Sequence, residues 1–195
     1  MMKLVRHLSI AGLALALSIS AMTQDVPQGT DNGQLVAATA ELQTSINAKT
    51  AKVGDLVTAK IGASVKIPGG KKLSRGTLLF GHIDQVQAVE NSGTSTVVLT
   101  FDKAQPKDGE PIPLKTTIVG VSTDGIDLDP PPLNPHLQFA KEPSSTHGYG
   151  LTSDVDSSNS GVLKASGKNV HLKQGTELAF AITRIALDPT VTGNN

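Results

Sequence analysis

The chain has 195 residues, with 17 basic and 17 acidic side chains, four Phe, one Tyr, and neither Trp nor Cys. The absence of cysteine excludes disulfides, and the balanced charge without a basic, aromatic-rich patch argues against nucleic-acid binding. The scarcity of aromatic residues argues against a carbohydrate-binding surface, which usually needs exposed aromatic rings. Tyr149, the single tyrosine, is the candidate for such a ring. Stability must therefore come from an aliphatic core, and the length suits one domain.

Residues 1–21 have the pattern of a cleavable secretory signal peptide. Lys3 and Arg6 precede an uncharged apolar segment that ends in small residues. That segment is shorter than the roughly 20 residues that a helix needs to span a bilayer. Cleavage leaves 15 basic and 17 acidic residues, a net charge of −2. We therefore expect a periplasmic or secreted protein with no stable membrane span after cleavage.

The first part of the mature chain predicts a polar lead and two strands. Residues 22–38 are rich in Gly, Asp and Gln and predict a flexible lead to a single domain over 39–187. The stretch 34–48 fits a helix face or a strand, and its Thr and Ser content favours a strand over 39–46. Residues 57–67 alternate apolar and polar, which predicts one long strand with a solvent-exposed face, ended by Pro and Gly-Gly.

The second part predicts more strands and one irregular insertion. Residues 77–89 change phase, which indicates a bulge near Asp84. Residues 95–121 predict a hairpin with Asp-Gly in its connection. Residues 122–161 have no periodicity and predict a loose insertion, either disordered or a mobile functional loop. Strands resume after it, and the tail 188–195 is expected to fray.

A glycine-led unit occurs three times, at Gly54, Gly76 and Gly175. Each glycine is followed by Asp or Thr, by an apolar residue three positions later and by Ile seven positions later. Glycine permits a turn with positive φ, and the spacing of the apolar residues places both on one face of a strand. The repeated unit predicts an all-β fold, a small antiparallel β-barrel or sandwich that carries a long irregular insertion.

The motifs that could carry chemistry are too weak to nominate a site. Residues 154–159 alternate oxygen-bearing side chains like a calcium loop, but they lack its Gly at the sixth position and Glu at the twelfth. We interpret them as a solvated loop, and the acidic stretch 124–129 could likewise hold a cation. The histidines lack zinc-site spacing, with His82 expected to face solvent. The mature histidines are His82, His136, His147 and His171. We predict no catalytic, cofactor or metal residue, because no Gly-x-Ser-x-Gly elbow or carboxylate pair stands out.

Six short segments together carry a family resemblance. They are Leu42–Ile46, Val53–Ala59, Leu73–Gly81, Thr100–Asp102, Asp108–Leu114 and Val170–Thr176. They resemble the periplasmic C-terminal β-barrel domain of the TrbI-type channel subunit of type IV secretion and conjugation systems, and unassigned exported bacterial proteins of similar size. The resemblance spans residues 40–121 and 162–184 and implies a β-barrel. That family inserts a membrane-piercing helix at a place comparable to 122–160, where the acidic residues and consecutive prolines of this chain predict no apolar helix.

These observations predict an exported, non-enzymatic β-barrel domain that acts in the cell envelope as a scaffold or protein-interaction module. We expect an envelope protein as its partner, received by exposed strand edges. One alternative is an extracytoplasmic ligand-binding module for a cation or glycan, built by residues 122–160. A further alternative is an uncharacterised hydrolase. The specific partner, the oligomeric state and membership of a secretion system stay open.

Overall fold

The described part of the chain consists of β-strands joined by turns and contains no helix. The computed structural model describes residues 35–67, 72–122, 144–146 and 149–184. In chain order the strands are β1 (Val36–Leu42), β2 (Ile46–Asn47), β3 (Leu56–Ile61), β4 (Val65–Lys66), β5 (Lys72–Leu73), β6 (Leu78–Gln87), β7 (Thr94–Gln105), β8 (Ile112–Ser122), β9 (Ser144–Thr146), β10 (Tyr149–Thr152), β11 (Gly161–Ser166), β12 (His171–Leu172) and β13 (Glu177–Arg184). The predicted all-β class is confirmed.

Six strands close into an antiparallel barrel. Their order is β6–β3–β1–β13–β8–β7, and β7 pairs with β6 to complete the circle. The strands β11, β10 and β9 extend the sheet from β7, while β2–β12 and β4–β5 form two short ribbons. Because β1, β3, β6 and β13 each pair with a strand on both sides, they cannot accept a strand from a partner. These four strands therefore offer no open edge, and the use of other strand edges by a partner stays a prediction.

Aliphatic side chains fill the interior of the barrel, as the composition predicts. Alternation along β3 buries Val57, Ala59 and Ile61 and leaves the residues between them on the outer face. The rings of Phe101 and Phe180 meet inside with centroids 5.3 Å apart and planes at 79°, an edge-to-face arrangement that aromatic pairs prefer. The core is therefore aliphatic, with one aromatic pair.

The three glycine-led segments fold into the same turn. The φ angles of Gly54, Gly76 and Gly175 are 88°, 87° and 89°. In each turn the residue after the glycine donates its N–H to the carbonyl of the residue two positions before the glycine, at 3.0–3.1 Å. A positive φ at the third position of such a turn is the signature of type II, which favours glycine. The repeat in the sequence is therefore a repeat of one backbone geometry.

Each of these turns also holds one residue of a neighbouring strand through a pair of backbone hydrogen bonds. The glycine N–H donates to the carbonyl of that residue, whose own N–H donates to the carbonyl of the residue after the glycine. The residues held are Leu42, Ile61 and Ile83, at N···O distances of 2.8–3.1 Å. All three are buried. The turns therefore tie strands of the barrel together and place an aliphatic side chain in the core at each tie.

The strand registers relate the two halves of the barrel by an internal two-fold pseudosymmetry. Superposing Leu42 on Ile61 places β1 on β3 and β13 on β6, with their pairings in matching register. The ladder β6–β7 shifts register at Phe80–Gly81, and β13–β8 shifts at the equivalent Ala179–Phe180. The ribbons β2–β12 and β4–β5 also correspond. The barrel is thus built from two similar three-stranded halves.

Two strands are interrupted where the sequence predicts continuity. The predicted strand over 39–46 is split into β1 and β2, and that over 57–67 is split into β3 and β4. In each gap a serine hydroxyl accepts the backbone N–H of a glycine turn, from Gln174 to Ser45 and from Arg75 to Ser64, both at 3.0 Å. The chain bends at residues 43–44 and 62–63, and an alternating pattern carries no mark of such a bend.

Three other boundaries also differ from the sequence-based expectation. Strand β1 begins at Val36, inside the predicted lead over 22–38. The predicted hairpin over 95–121 pairs only near its connection, at Lys103 with Pro113 and Ala104 with Ile112. Within the predicted loose insertion 122–161, residues 144–146 and 149–152 form β9 and β10, and β10 pairs with β11, whereas residues 153–160 are irregular, as predicted. The predicted bulge near Asp84 is confirmed by a register shift in β6.

Ser160 closes the fork where β7 and β8 separate. Its hydroxyl accepts the Phe101 N–H and bonds to the Thr116 hydroxyl, both at 2.8 Å. Its backbone N–H donates to the Leu99 carbonyl at 2.8 Å, and its carbonyl accepts the Ile118 N–H at 2.7 Å. One buried serine therefore forms hydrogen bonds with backbone groups of both strands at the point where they stop pairing with each other.

Several predicted features lie outside the described residues. They are the signal peptide over 1–21, the acidic stretch 124–129, His136, His147 and the tail 188–195.

Candidate functional site

Two neighbouring clefts meet at the β2–β12 ribbon. The first, here called the turn cleft, has a volume of about 500 Å³ and reaches the turn at Gly54. The second, here called the lysine cleft, has a volume of about 350 Å³ and contains Lys49 and Lys168. Asn47 and His171, which lie opposite each other in the ribbon, line both clefts. Volumes in this range are typical of ligand-binding sites.

Two exposed apolar side chains mark the turn beside the first cleft. Val53 and Leu56 are 66% and 74% exposed and are the large apolar residues left exposed in the described part of the chain. Leu56 itself lines the turn cleft. The position of Val53 is taken by Arg75 and Gln174 in the other two turns. The apolar side chain of Val53 is therefore a departure from the repeat, whereas the position of Leu56 is leucine (Leu78) in the second turn and Glu177 in the third.

Polar residues of the turn cleft are held by backbone hydrogen bonds. The Asp55 carboxylate accepts the Lys52 N–H at 2.8 Å across the turn. The Thr44 hydroxyl accepts the Thr58 N–H at 2.9 Å. These bonds engage both side chains in shaping the wall of the cleft.

The lysine cleft presents an ammonium group that lies over an aromatic ring. The Lys168 Nζ lies 5.2 Å from the centroid of the Tyr149 ring, a cation–π contact. The Tyr149 hydroxyl in turn donates to the His171 carbonyl at 2.8 Å. Tyr149 is only 8% exposed, so it cannot serve as the open stacking platform that a sugar site would need. Its ring instead supports the lysine beside the ribbon.

Asparagine side chains fix the backbone around both lysines. The Asn169 amide accepts the Val89 N–H at 2.8 Å and donates to the Val89 carbonyl at 2.7 Å. The Asn47 side-chain oxygen accepts the Lys49 N–H at 3.0 Å. The floor of the lysine cleft is therefore held in place by side-chain bonds to the main chain.

His82 faces solvent on the outside of the barrel, as predicted, and forms a small polar cluster there. Its Nε2 lies 3.0 Å from Asp84 Oδ1, and both side chains are partly exposed. The Thr100 hydroxyl donates to the other oxygen of the same carboxylate. A nucleophile must bond to the base that activates it, but this hydroxyl bonds to the carboxylate. The cluster therefore lacks the geometry of a catalytic triad.

The calcium-like loop forms bonds within itself. The Asp154 carboxylate accepts the Asp156 N–H at 2.9 Å, and the backbone carbonyl of Asp154 accepts the Ser157 N–H at 3.1 Å. Across residues 35–67, 72–122, 144–146 and 149–184, no group of three or more His, Cys, Asp or Glu side chains is placed to hold a metal ion.

The clefts were not identified from the sequence, although one signal was present. Comparing the three glycine turns shows that the residue before Gly54 is apolar where the others are polar. The lysine cleft had no such signal, because Lys49 and Lys168 are far apart in the chain.

Comparisons with known proteins give no relative. No protein-family model, no curated protein and no solved structure matches this chain. In the part of the chain that the structure describes, no helix is long and apolar enough to cross a membrane. The function must therefore be argued from the geometry of the clefts.

Proposed function

We propose that this chain is an exported, non-enzymatic β-barrel module that binds another protein of the cell envelope. The observation that carries the proposal is the exposed pair Val53 and Leu56 beside the turn cleft. Leaving two aliphatic side chains in water forfeits about 1.5–3 kcal/mol each relative to burying them. A partner that covers them recovers this free energy on binding.

The position of Val53 on the fold supports a binding role. The positions equivalent to Val53 are polar, Arg75 and Gln174, and all three turns make the same backbone hydrogen bonds. A polar residue at this position is therefore compatible with the same turn. An apolar side chain next to an open cleft has the character of an interaction surface, in which an apolar centre is surrounded by polar residues.

Two sequence features support an envelope location. Residues 1–21 carry the pattern of a signal peptide, and the strands resemble the periplasmic β-barrel domain of the TrbI-type channel subunits. The glycan-binding alternative is weakened because its tyrosine candidate, Tyr149, is buried beneath Lys168. We therefore place a protein partner ahead of a glycan.

Site-specific photo-crosslinking in the native cells tests the proposal. A photoreactive phenylalanine analogue replaces Leu56, and in a matched control it replaces Lys60, which is exposed on the same outer face of β3. We expect a discrete adduct with one envelope protein from position 56 and none from position 60. Excess unlabelled chain should suppress the adduct, whereas excess chain with Val53→Ser and Leu56→Ser should not. Absence of an adduct, or equal adducts from both positions, refutes the proposal.

A further inference from the structure

We infer that the turn cleft and the lysine cleft act as one groove for an extended acidic peptide segment of the partner. An aliphatic side chain of the peptide packs against Val53 and Leu56, and its carboxylates lie at Lys49 and Lys168. This inference rests on the proposed function and names the chemistry of the partner that the same surface receives.

Adjacency of the two clefts is the first argument. Both are lined by Asn47 and His171, so a ligand that crosses the β2–β12 ribbon at these residues can reach both. An extended peptide rises about 3.3 Å per residue and turns alternate side chains the same way. It can therefore place an apolar and an acidic side chain in separate clefts while its backbone crosses the ribbon.

Charge complementarity is the second argument. The lysine cleft is lined by two ammonium groups, on Lys49 and Lys168, against the single carboxylate of Glu90. The excess of positive charge in this cleft favours an acidic residue at this end of the groove, whereas the turn cleft carries the Asp55 carboxylate and offers no such charge. Side-chain amides of Asn47 and Asn91 add neutral hydrogen-bond donors to the same cleft.

Preorganisation of the cationic end is the third argument. Lys168 lies over the Tyr149 ring, which is itself hydrogen-bonded to the ribbon through the His171 carbonyl. A lysine that already contacts a ring beside the site loses less conformational freedom when it binds a carboxylate. The cation is thus held next to the residue that both clefts share.

The apolar end distinguishes a peptide from other anionic ligands. Nucleic acids and acidic polysaccharides offer negative charge but no aliphatic side chain for Val53 and Leu56. An acyl chain would need an enclosed apolar tunnel, whereas the turn cleft is open and carries the polar residues Thr44, Thr50 and Asp55. A peptide that combines an aliphatic and an acidic residue matches both ends.

Selection from a phage-displayed library of random dodecapeptides tests the inference, with the folded full chain as the target. We expect the enriched peptides to combine an aliphatic residue with acidic residues. One enriched peptide is then synthesised with a fluorophore, and its Kd is measured by polarisation. Failure to enrich any peptide, or enrichment of neutral or basic sequences, overturns the inference.

Variants of the chain locate the peptide in the groove. We expect Lys49→Gln and Lys168→Gln each to raise the Kd about two- to fivefold, the range for exposed ion pairs. Leu56→Ser should raise it about tenfold or more, because an aliphatic contact is lost. The control Lys60→Gln removes a lysine from the outer face of β3, away from the residues that line the clefts, and should leave the Kd unchanged.

Replacing the acidic residues of the peptide with amides separates charge from shape. The amide peptide should bind more weakly to the unmodified chain and should no longer respond to Lys49→Gln or Lys168→Gln. If the photo-adduct from position 56 forms but the lysine variants bind the peptide normally, this inference fails and the proposed function stands. If the adduct is also absent, both fail.

Discussion

Replacing Ser160 with alanine tests whether one buried hydroxyl joins β7 to β8 at their fork. Ser160 is 1% exposed, and its hydroxyl accepts the Phe101 N–H and bonds to the Thr116 hydroxyl. Alanine preserves the backbone bonds of this residue to Leu99 and Ile118. It removes the hydroxyl that accepts the Phe101 N–H, in a place that water does not reach.

The size of the effect follows from the two bonds that are lost. A buried N–H left without an acceptor costs about 1–3 kcal/mol, and loss of the bond to Thr116 adds about 0.5–1.5 kcal/mol. We therefore expect Ser160→Ala to lower the free energy of unfolding by about 2–4 kcal/mol. For a domain of this size each kcal/mol corresponds to about 2–4 °C in Tm, so the Tm should fall by about 5–15 °C.

Circular dichroism during thermal and urea unfolding measures the change. The control is Ser158→Ala, an exposed serine of the same loop, which should change stability by less than about 0.5 kcal/mol. Thr116→Val and the double variant complete a cycle, from which we expect a coupling of about 1 kcal/mol between the two hydroxyls. If Ser160→Ala unfolds like Ser158→Ala, the hydroxyl is not what holds the fork closed.

Two further substitutions probe close backbone contacts and are measured in the same unfolding assays. Gly81→Ala would place a methyl carbon 2.1 Å from the Thr100 carbonyl oxygen, whereas Gly62→Ala meets its nearest side-chain atom at 3.4 Å. We expect a loss of about 3 kcal/mol or more for the first and a change within about 1 kcal/mol for the second, and equal losses would contradict the close approach of β6 and β7. Asn169→Ala removes both bonds of the amide to Val89 and should cost about 1–3 kcal/mol, with an unchanged Tm counting against this anchor.

The repeated glycine turns show how far local sequence reaches into this fold. Gly54, Gly76 and Gly175 were recognisable because tolerance of a positive φ is a property of the residue itself, and the residues after each glycine repeat the same pattern. The residues that the turns hold, such as Leu42, were not recognisable as partners. Their bonds depend on which strand ends meet after the barrel closes.

The candidate groove also combines a feature that local sequence marks with contacts that only the fold creates. Val53 stood out only on comparison with Arg75 and Gln174, and its exposure required the structure. Lys49 and Lys168 are more than a hundred positions apart in the chain, and the β2–β12 ribbon brings them to one cleft. No local pattern predicts such a meeting.

The amino-acid sequence by itself determined the all-β class, the aliphatic core, the turn positions and the bulge near Asp84, because each reflects the steric and apolar character of adjacent residues. The tertiary structure alone decided the closure of the barrel, the two-fold relation of its halves, the fork at Ser160 and the clefts at the ribbon. These depend on contacts such as the pairing of β1 with β13, two strands that lie near opposite ends of the domain in the sequence. Contacts of that range are selected by the free energy of the assembled fold, which no short stretch of chain contains.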